Sequence, residues 1–106
     1  MRVSLYSSLR SQLFRAAMSI PANIAEGRRQ NSDANFRRFL GYALNSASEL
    51  EHHLIVARDI SAIREAEYAE LISQTIIVRK MLYCLIGRLK AGPPRNPAPA
   101  SKRPEP

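Results

Sequence analysis

The residues best equipped for chemistry in this sequence are basic. Arg28 and Arg29 are followed shortly by Arg37 and Arg38, and Lys80, Arg88 and Lys90 stand near the end of the last apolar stretch. Guanidinium and ammonium groups gathered in this way suit the oxygens of phosphates. The whole chain of 106 residues carries a net charge of +7, with 16 Lys and Arg against 9 Asp and Glu. Such an excess points to nucleic acid, an anionic surface or an acidic protein, and composition alone does not choose among them.

Other chemistries find less support. Glu49 and His52 form a Glu-x-x-His pair, the spacing used in di-iron carboxylate bundles. Those sites need two such pairs and two further glutamates, whereas the only other histidine is the adjacent His53. A polar helix face is the better reading. A Ser-His-Asp arrangement lacks an identifiable nucleophile turn or oxyanion loop. Gly27, Gly41, Gly87 and Gly92 do not form a phosphate-cradling motif. Cys84, the only cysteine, excludes an intrachain disulfide and suits a reducing cytoplasm; it reads as a small core residue. The expectation is therefore a protein with no catalytic residues, metal, cofactor or small-molecule substrate.

Three helical runs must position these side chains. The first extends from about Ser4 to Glu26, with Leu5, Leu9, Leu13, Ala16, Ile20 and Ile24 at spacings of three or four and Gly27 as a C-cap. Ser32 or Asn31 suits the N-cap of the second. That helix carries Phe36, Leu40, Ala43, Ala47, Leu50, Leu54 and Ala57. The third, from about Arg64 to Leu89, repeats the rhythm from Tyr68 through Thr75 and Leu82 to Leu89. Ser61 is the candidate cap for this third helix. Sustained heptads joined by short connections predict an all-α, antiparallel, up-and-down bundle. Apolar residues also lie off the main stripes, at Phe14, Met18, Phe39, Tyr42, Val56, Ile72, Ile76, Tyr83 and Ile86. Helices apolar on two sides require a further helix, another subunit or both.

Residues 1–90 thus form one helical domain. From Ala91 the sequence AGPPRNPAPASKRPEP holds six of the seven prolines and reads as a disordered, basic tail. No stretch approaches the roughly 20 apolar residues of a membrane span, and no secretory signal is evident.

Pro21 interrupts the first helix within SIPANIAEG, Ser19–Gly27. It removes the amide that would bond the Ala17 carbonyl, and Ser19 or Asn23 could supply replacements at a kink. Small residues surround it: Ala16, Ala17, Ala22 and Ala25 here, and Ala43, Ser46 and Ala47 on the second helix. A close-packed seam is the natural reading. With SQLFRAAMSIPANIAEG, FRRFLGYALNSASELEHHLIVARD and EYAELI, the chain resembles the bacterial four-helix-bundle family encoded in intervening sequences of 23S ribosomal RNA genes. The accessory variability determinant of diversity-generating retroelements is a related bundle. The resemblance implies a homopentameric assembly and no established enzymatic activity. Family members usually carry another helix before the segment that begins here at Leu5, so the expectation is three helices of a four-helix fold.

In an antiparallel bundle the linker after the first helix lies at the same end as the C-terminus of the third. Arg28, Arg29, Arg37, Arg38, Lys80, Arg88 and Lys90 would then face only Glu26 and Asp33, a local charge of about +5. Glu26, in the last turn of its helix, needs a cation such as Arg28 or Arg29 or a group across a subunit boundary. The opposite end sets Arg58 and Arg64 against Asp59, Glu65, Glu67 and Glu70. No groove-reading helix or aromatic stacking platform is evident, so nucleic acid would be bound with weak sequence preference. The alternative is a module that docks a larger protein, such as a reverse transcriptase.

Overall fold

The computed structural model describes residues 2–91, with side chains described from Leu5 onward. The remainder of the proline-rich tail lies outside the described residues. Three α-helices, α1 (Arg2–Arg28), α2 (Asp33–Asp59) and α3 (Glu65–Ala91), account for nearly all of that length, and no strand occurs among the described residues. The heptad stripes settle this outcome, because each supplies one continuous apolar edge over many turns.

The helix ends follow local chemistry, with two departures from expectation. Gly27 is not a left-handed cap: it is buried inside α1, and a Cβ there would stand 2.9 Å from Phe36 Cδ1 and 3.0 Å from Phe39 Cβ. Its missing side chain admits the start of α2. The end of α1 is closed instead by Arg29 N–H to the Glu26 carbonyl and Gln30 N–H to the Gly27 carbonyl, at 3.2 and 3.1 Å. The Gln30 side-chain amide also donates to the Glu26 carbonyl. Ser32 caps α2 as expected, its Oγ accepting from Asn35 N–H at 3.1 Å.

Ser61 serves α2, not α3. At φ 62° it is the left-handed residue after the helix, with Ser61 N–H bonded to the Arg58 carbonyl and Ala62 N–H to the Ala57 carbonyl. That double bond pattern is a Schellman closure. At the start of α3, Arg64 has no side-chain acceptor to offer. Glu67 reaches back instead and accepts from Arg64 N–H at 3.0 Å, one half of a capping box.

α1 and α3 both pack on α2 and not on each other: no Cα of α1 lies within 8 Å of one in α3. α2 is therefore the shared middle element. Its Leu40, Ala43 and Ala47 join Ile20 of α1 and Leu82 of α3 in the buried core. Cross-helix bonds fix the register. Ser19 Oγ meets Ser46 Oγ at 2.8 Å, while the Tyr6 hydroxyl reaches the Ile60 carbonyl at 3.5 Å. Between α2 and α3, Arg79 donates to Glu51, and the Arg58 guanidinium stands 4.5 Å from the Tyr68 ring centre.

Ser19 and Asn23 do act near Pro21, but not on the Ala17 carbonyl. The Asn23 amide donates to the Ser19 carbonyl and to Ser19 Oγ, which in turn meets Ser46. α1 is assigned as one helix through Pro21. Of the off-stripe apolar residues, Phe14, Met18, Tyr42 and Tyr83 are exposed, Phe14 at 68% and Met18 at 53%, whereas Phe39, Val56, Ile72, Ile76 and Ile86 are half-buried. Cys84 is exposed as well, contrary to its expected place in the core. It borders an open hollow of about 630 Å³ together with Ile24 of α1, Leu40 of α2 and Met81 and Leu85 of α3.

Candidate nucleic-acid interface

The ends of all three helices meet near the α1–α2 linker. A hollow of about 410 Å³ there is lined by Arg28 of α1, Asn31 and Ser32 of the linker, Asp33 and Phe36 of α2, and Leu85 of α3. Leu85 and Leu89 pack against the same core cluster as Phe36, which brings the C-terminal turns of α3 to this corner. Arg88 and Lys90 occupy the last turn of α3. Lys80 precedes Lys90 by ten residues, roughly 15 Å along a helix, and shares with Arg88 the second hollow, of about 630 Å³, beside Met81 and Leu85.

Individual cations differ in their commitments. Arg29 pairs with Glu26 at 2.5 Å, the compensation expected for an anion in the last turn of a helix. Gln30 Nε2 adds a bond to the same carboxylate. Arg38 lies over the rings of Phe39 and Tyr42, at 5.0 and 5.9 Å from their centres. It also donates to the Tyr42 hydroxyl and to Asn35 Oδ1. Phe39 and Tyr42 pack edge to face, with centres 5.4 Å apart. This cation–aromatic cluster was not legible as such, although Arg38 and Tyr42 stand one helical turn apart. Because α2 begins at Asp33, Arg37 and Arg38 occupy its second turn, where the dipole penalty has largely faded.

Among the described residues, Arg28, Arg37, Lys80, Arg88 and Lys90 form no salt bridge. At the opposite end the pairing is more complete. Arg58 meets Asp59 at 3.1 Å, and that hydrogen bond raises the guanidinium's affinity for its proton. Arg64 meets Glu67 at 3.5 Å. The backbone hydrogen bond from Arg64 holds the Glu67 carboxyl below its ordinary range, with the Arg64 charge adding to the effect.

The Glu49–His52 pair is not assembled into a site. Glu49 borders a polar crevice with His53, Arg15 and Ser19, whereas His52 borders a separate hollow beside Leu5 and Val56. No group of three His, Cys, Asp or Glu side chains among the described residues is placed to hold a metal ion. No described helix is long and apolar enough to cross a membrane.

The 23S rRNA-intervening sequence protein family matches residues 4–84, which span the seam, the linker, all of α2 and most of α3. The chain belongs to that family. A crystal structure of a protein of unknown function, from the S23 ribosomal protein family of Bacteroides thetaiotaomicron VPI-5482, is similar to it. The two superpose with a TM-score of 0.74 at 28% identity, covering 79% of this chain and 86% of that one. A comparison with curated proteins finds no match. For this family member, the match stops within α3, ahead of Arg88 and Lys90.

Proposed function

We propose that this protein is a non-enzymatic, homo-oligomeric helical bundle of the cytoplasm that binds RNA or other nucleic acid through its basic end. The observation that carries the reading is the group of cations without carboxylate partners where the three helix ends meet. Unpaired cations at one corner contact phosphates without first breaking a salt bridge. Oligomerisation repeats that corner and strengthens weak contacts by avidity. The resemblance drawn from SIPANIAEG supports a pentamer, and exposed Phe14 and Met18 support contact between subunits.

The helices are read as antiparallel, up and down. Support comes from the Tyr6–Ile60 and Ser19–Ser46 contacts, whose numbers rise on α1 as they fall on α2. A bend of α1 at Pro21 is supported by the backbone bond that proline removes.

Binding of a fluorescent single-stranded RNA, titrated from low to physiological salt, tests the function. Affinity should fall with log[salt] by about 0.7 per phosphate contact. Charge reversal at Arg28 and Arg37 should weaken binding at least tenfold at low salt. Undetectable binding at low salt, or binding indifferent to both reversals, overturns the reading. A second reading, docking of a larger protein such as a reverse transcriptase, is supported by the same exposed Phe14 and Met18. Recovery of one stoichiometric protein partner after nuclease treatment would favour it.

A further inference from the structure

Spacing alone sets Phe39 and Tyr42 among the apolar residues off the main stripes, with no platform on which a base could stack. The folded chain builds one. Asn35, Arg38, Tyr42 and Asn45 follow one another along α2 at spacings of three, four and three, and all four are exposed. Such spacings put them on one side of the helix. The Arg38 guanidinium carbon stands 5.0 Å from the Phe39 ring centre and 5.9 Å from that of Tyr42. Hydrogen bonds to the Tyr42 hydroxyl and to Asn35 Oδ1 hold it there. Both acceptors are neutral, and Arg38 forms no salt bridge among the described residues.

We infer that this row is a stacking platform for an unpaired base of single-stranded nucleic acid. Every base has a π-face, which stacks on an aromatic ring or on the plane of a guanidinium. Tyr42, 42% exposed, offers the ring. Arg38 offers the plane. It is already steadied over Phe39, so little side-chain freedom is lost when a base settles on it. Asn35 and Asn45 flank the pair along the row, with amides that can bond base edges.

The platform adjoins the basic corner. Phe39 Cβ stands 3.0 Å from the place that a Cβ on Gly27 would occupy, and Arg28 follows Gly27 directly. Arg37 precedes Arg38, and neither Arg28 nor Arg37 has a salt bridge among the described residues. A strand whose phosphates meet Arg28 and Arg37 is positioned to carry a base to Tyr42. Glu49, next on the row after Asn45, repels phosphate and closes the track at that end. A duplex is a poor occupant, because its bases already stack on one another. The inference rests on the nucleic-acid reading and deepens it, adding base contacts to a site otherwise confined to phosphates.

Fluorescence anisotropy on the full chain at low salt tests the platform. It compares a short fluorescent single strand with the same backbone carrying abasic sites in place of bases. Wild type should bind the base-bearing strand roughly fivefold more tightly or better. The strand is titrated as DNA and as RNA, and the preference should appear with each. Tyr42→Ala should remove it while leaving affinity for the abasic strand within about twofold, since phosphate contacts persist. Arg38→Lys should do the same, because lysine keeps the charge and lacks the plane. Tyr42→Phe keeps the ring and should retain the preference. The salt dependence should be that of the wild type in all three variants. Both positions are exposed, so far-UV circular dichroism and sedimentation should also be unchanged. Equal binding of the two strands by wild type, or a Tyr42→Ala variant that keeps the preference, overturns the platform and leaves the basic-end reading intact. Failure to bind either strand at low salt ends both.

Discussion

Gly27 shows how much can depend on one missing methyl group. Its two neighbours differ in their freedom to yield: the Phe36 ring can turn, but Phe39 Cβ is anchored to the α2 backbone. Gly27→Ala should therefore destabilise the protein by about 1–2 kcal/mol, because the strain of overpacking exceeds alanine's better helix propensity. Gly41 and Gly87 have nothing within 4 Å of the same added atom. Alanine there should stabilise by about 0.8–1 kcal/mol. Urea unfolding of the three variants reads the contrast directly, and equal shifts at all three positions would contradict it. The glycine itself was visible in SIPANIAEG, but its role was not. A glycine at the end of an apolar stripe suits a cap by local rules, and only the approach of Phe36 and Phe39 makes it an interior residue.

At the scale of the element, the start of α3 depends on Glu67. The carboxylate accepts from the Arg64 amide and lies near the Arg64 charge, so its folded pKa is depressed below the ordinary 4.5. A depressed acid contributes its stability above the unfolded value and loses it as pH falls through the folded one. Wild type should melt above Glu67→Gln at neutral pH, and the gap should close as acid carries the pH below 4.5 and through the lower folded pKa. Thermal melts across that range check the sign; a gap that widens in acid would contradict it. α2 illustrates the converse, an element written plainly in the sequence. Leu40, Ala43, Ala47, Leu54 and Ala57 were all placed on its apolar stripe, and all are buried. α2 packs on both sides, so its pattern is the least ambiguous of the three. α3 has one covered side and one uncovered, which is why Cys84 seemed a core residue and stands in water instead.

For the whole molecule, the open arrangement matters most. With α1 and α3 meeting only through α2, much apolar surface stays exposed: Phe14, Met18, Ile77, Met81 and Tyr83 all lie open. If self-association covers it, unfolding is linked to protein concentration. The melting temperature should rise as the protein is concentrated from micromolar to hundreds of micromolar, by several degrees. Scanning calorimetry at matched buffer checks this, and an invariant melting temperature would point to a monomer that tolerates its exposed faces. The charge distribution belongs to the same scale. Pairing satisfies Arg58 and Arg64 at one end, while Arg28, Arg37 and Lys90 at the other form no salt bridge among the described residues.

The sequence by itself determined three helices, their stripes, a cap at Ser32 or Asn31 and the family carried by SIPANIAEG and its neighbours. Each of these depends on contacts within a few residues or on a repeat along one helix, so the order of side chains contains it. Tertiary structure decided the rest. Ser19 found Ser46, Gly27 admitted Phe36, Arg79 reached Glu51, and Arg38 settled over Phe39 and Tyr42. Those outcomes depend on which helix lies beside which and at what register. That is set by the sum of packing along α2, a sum no single helix holds.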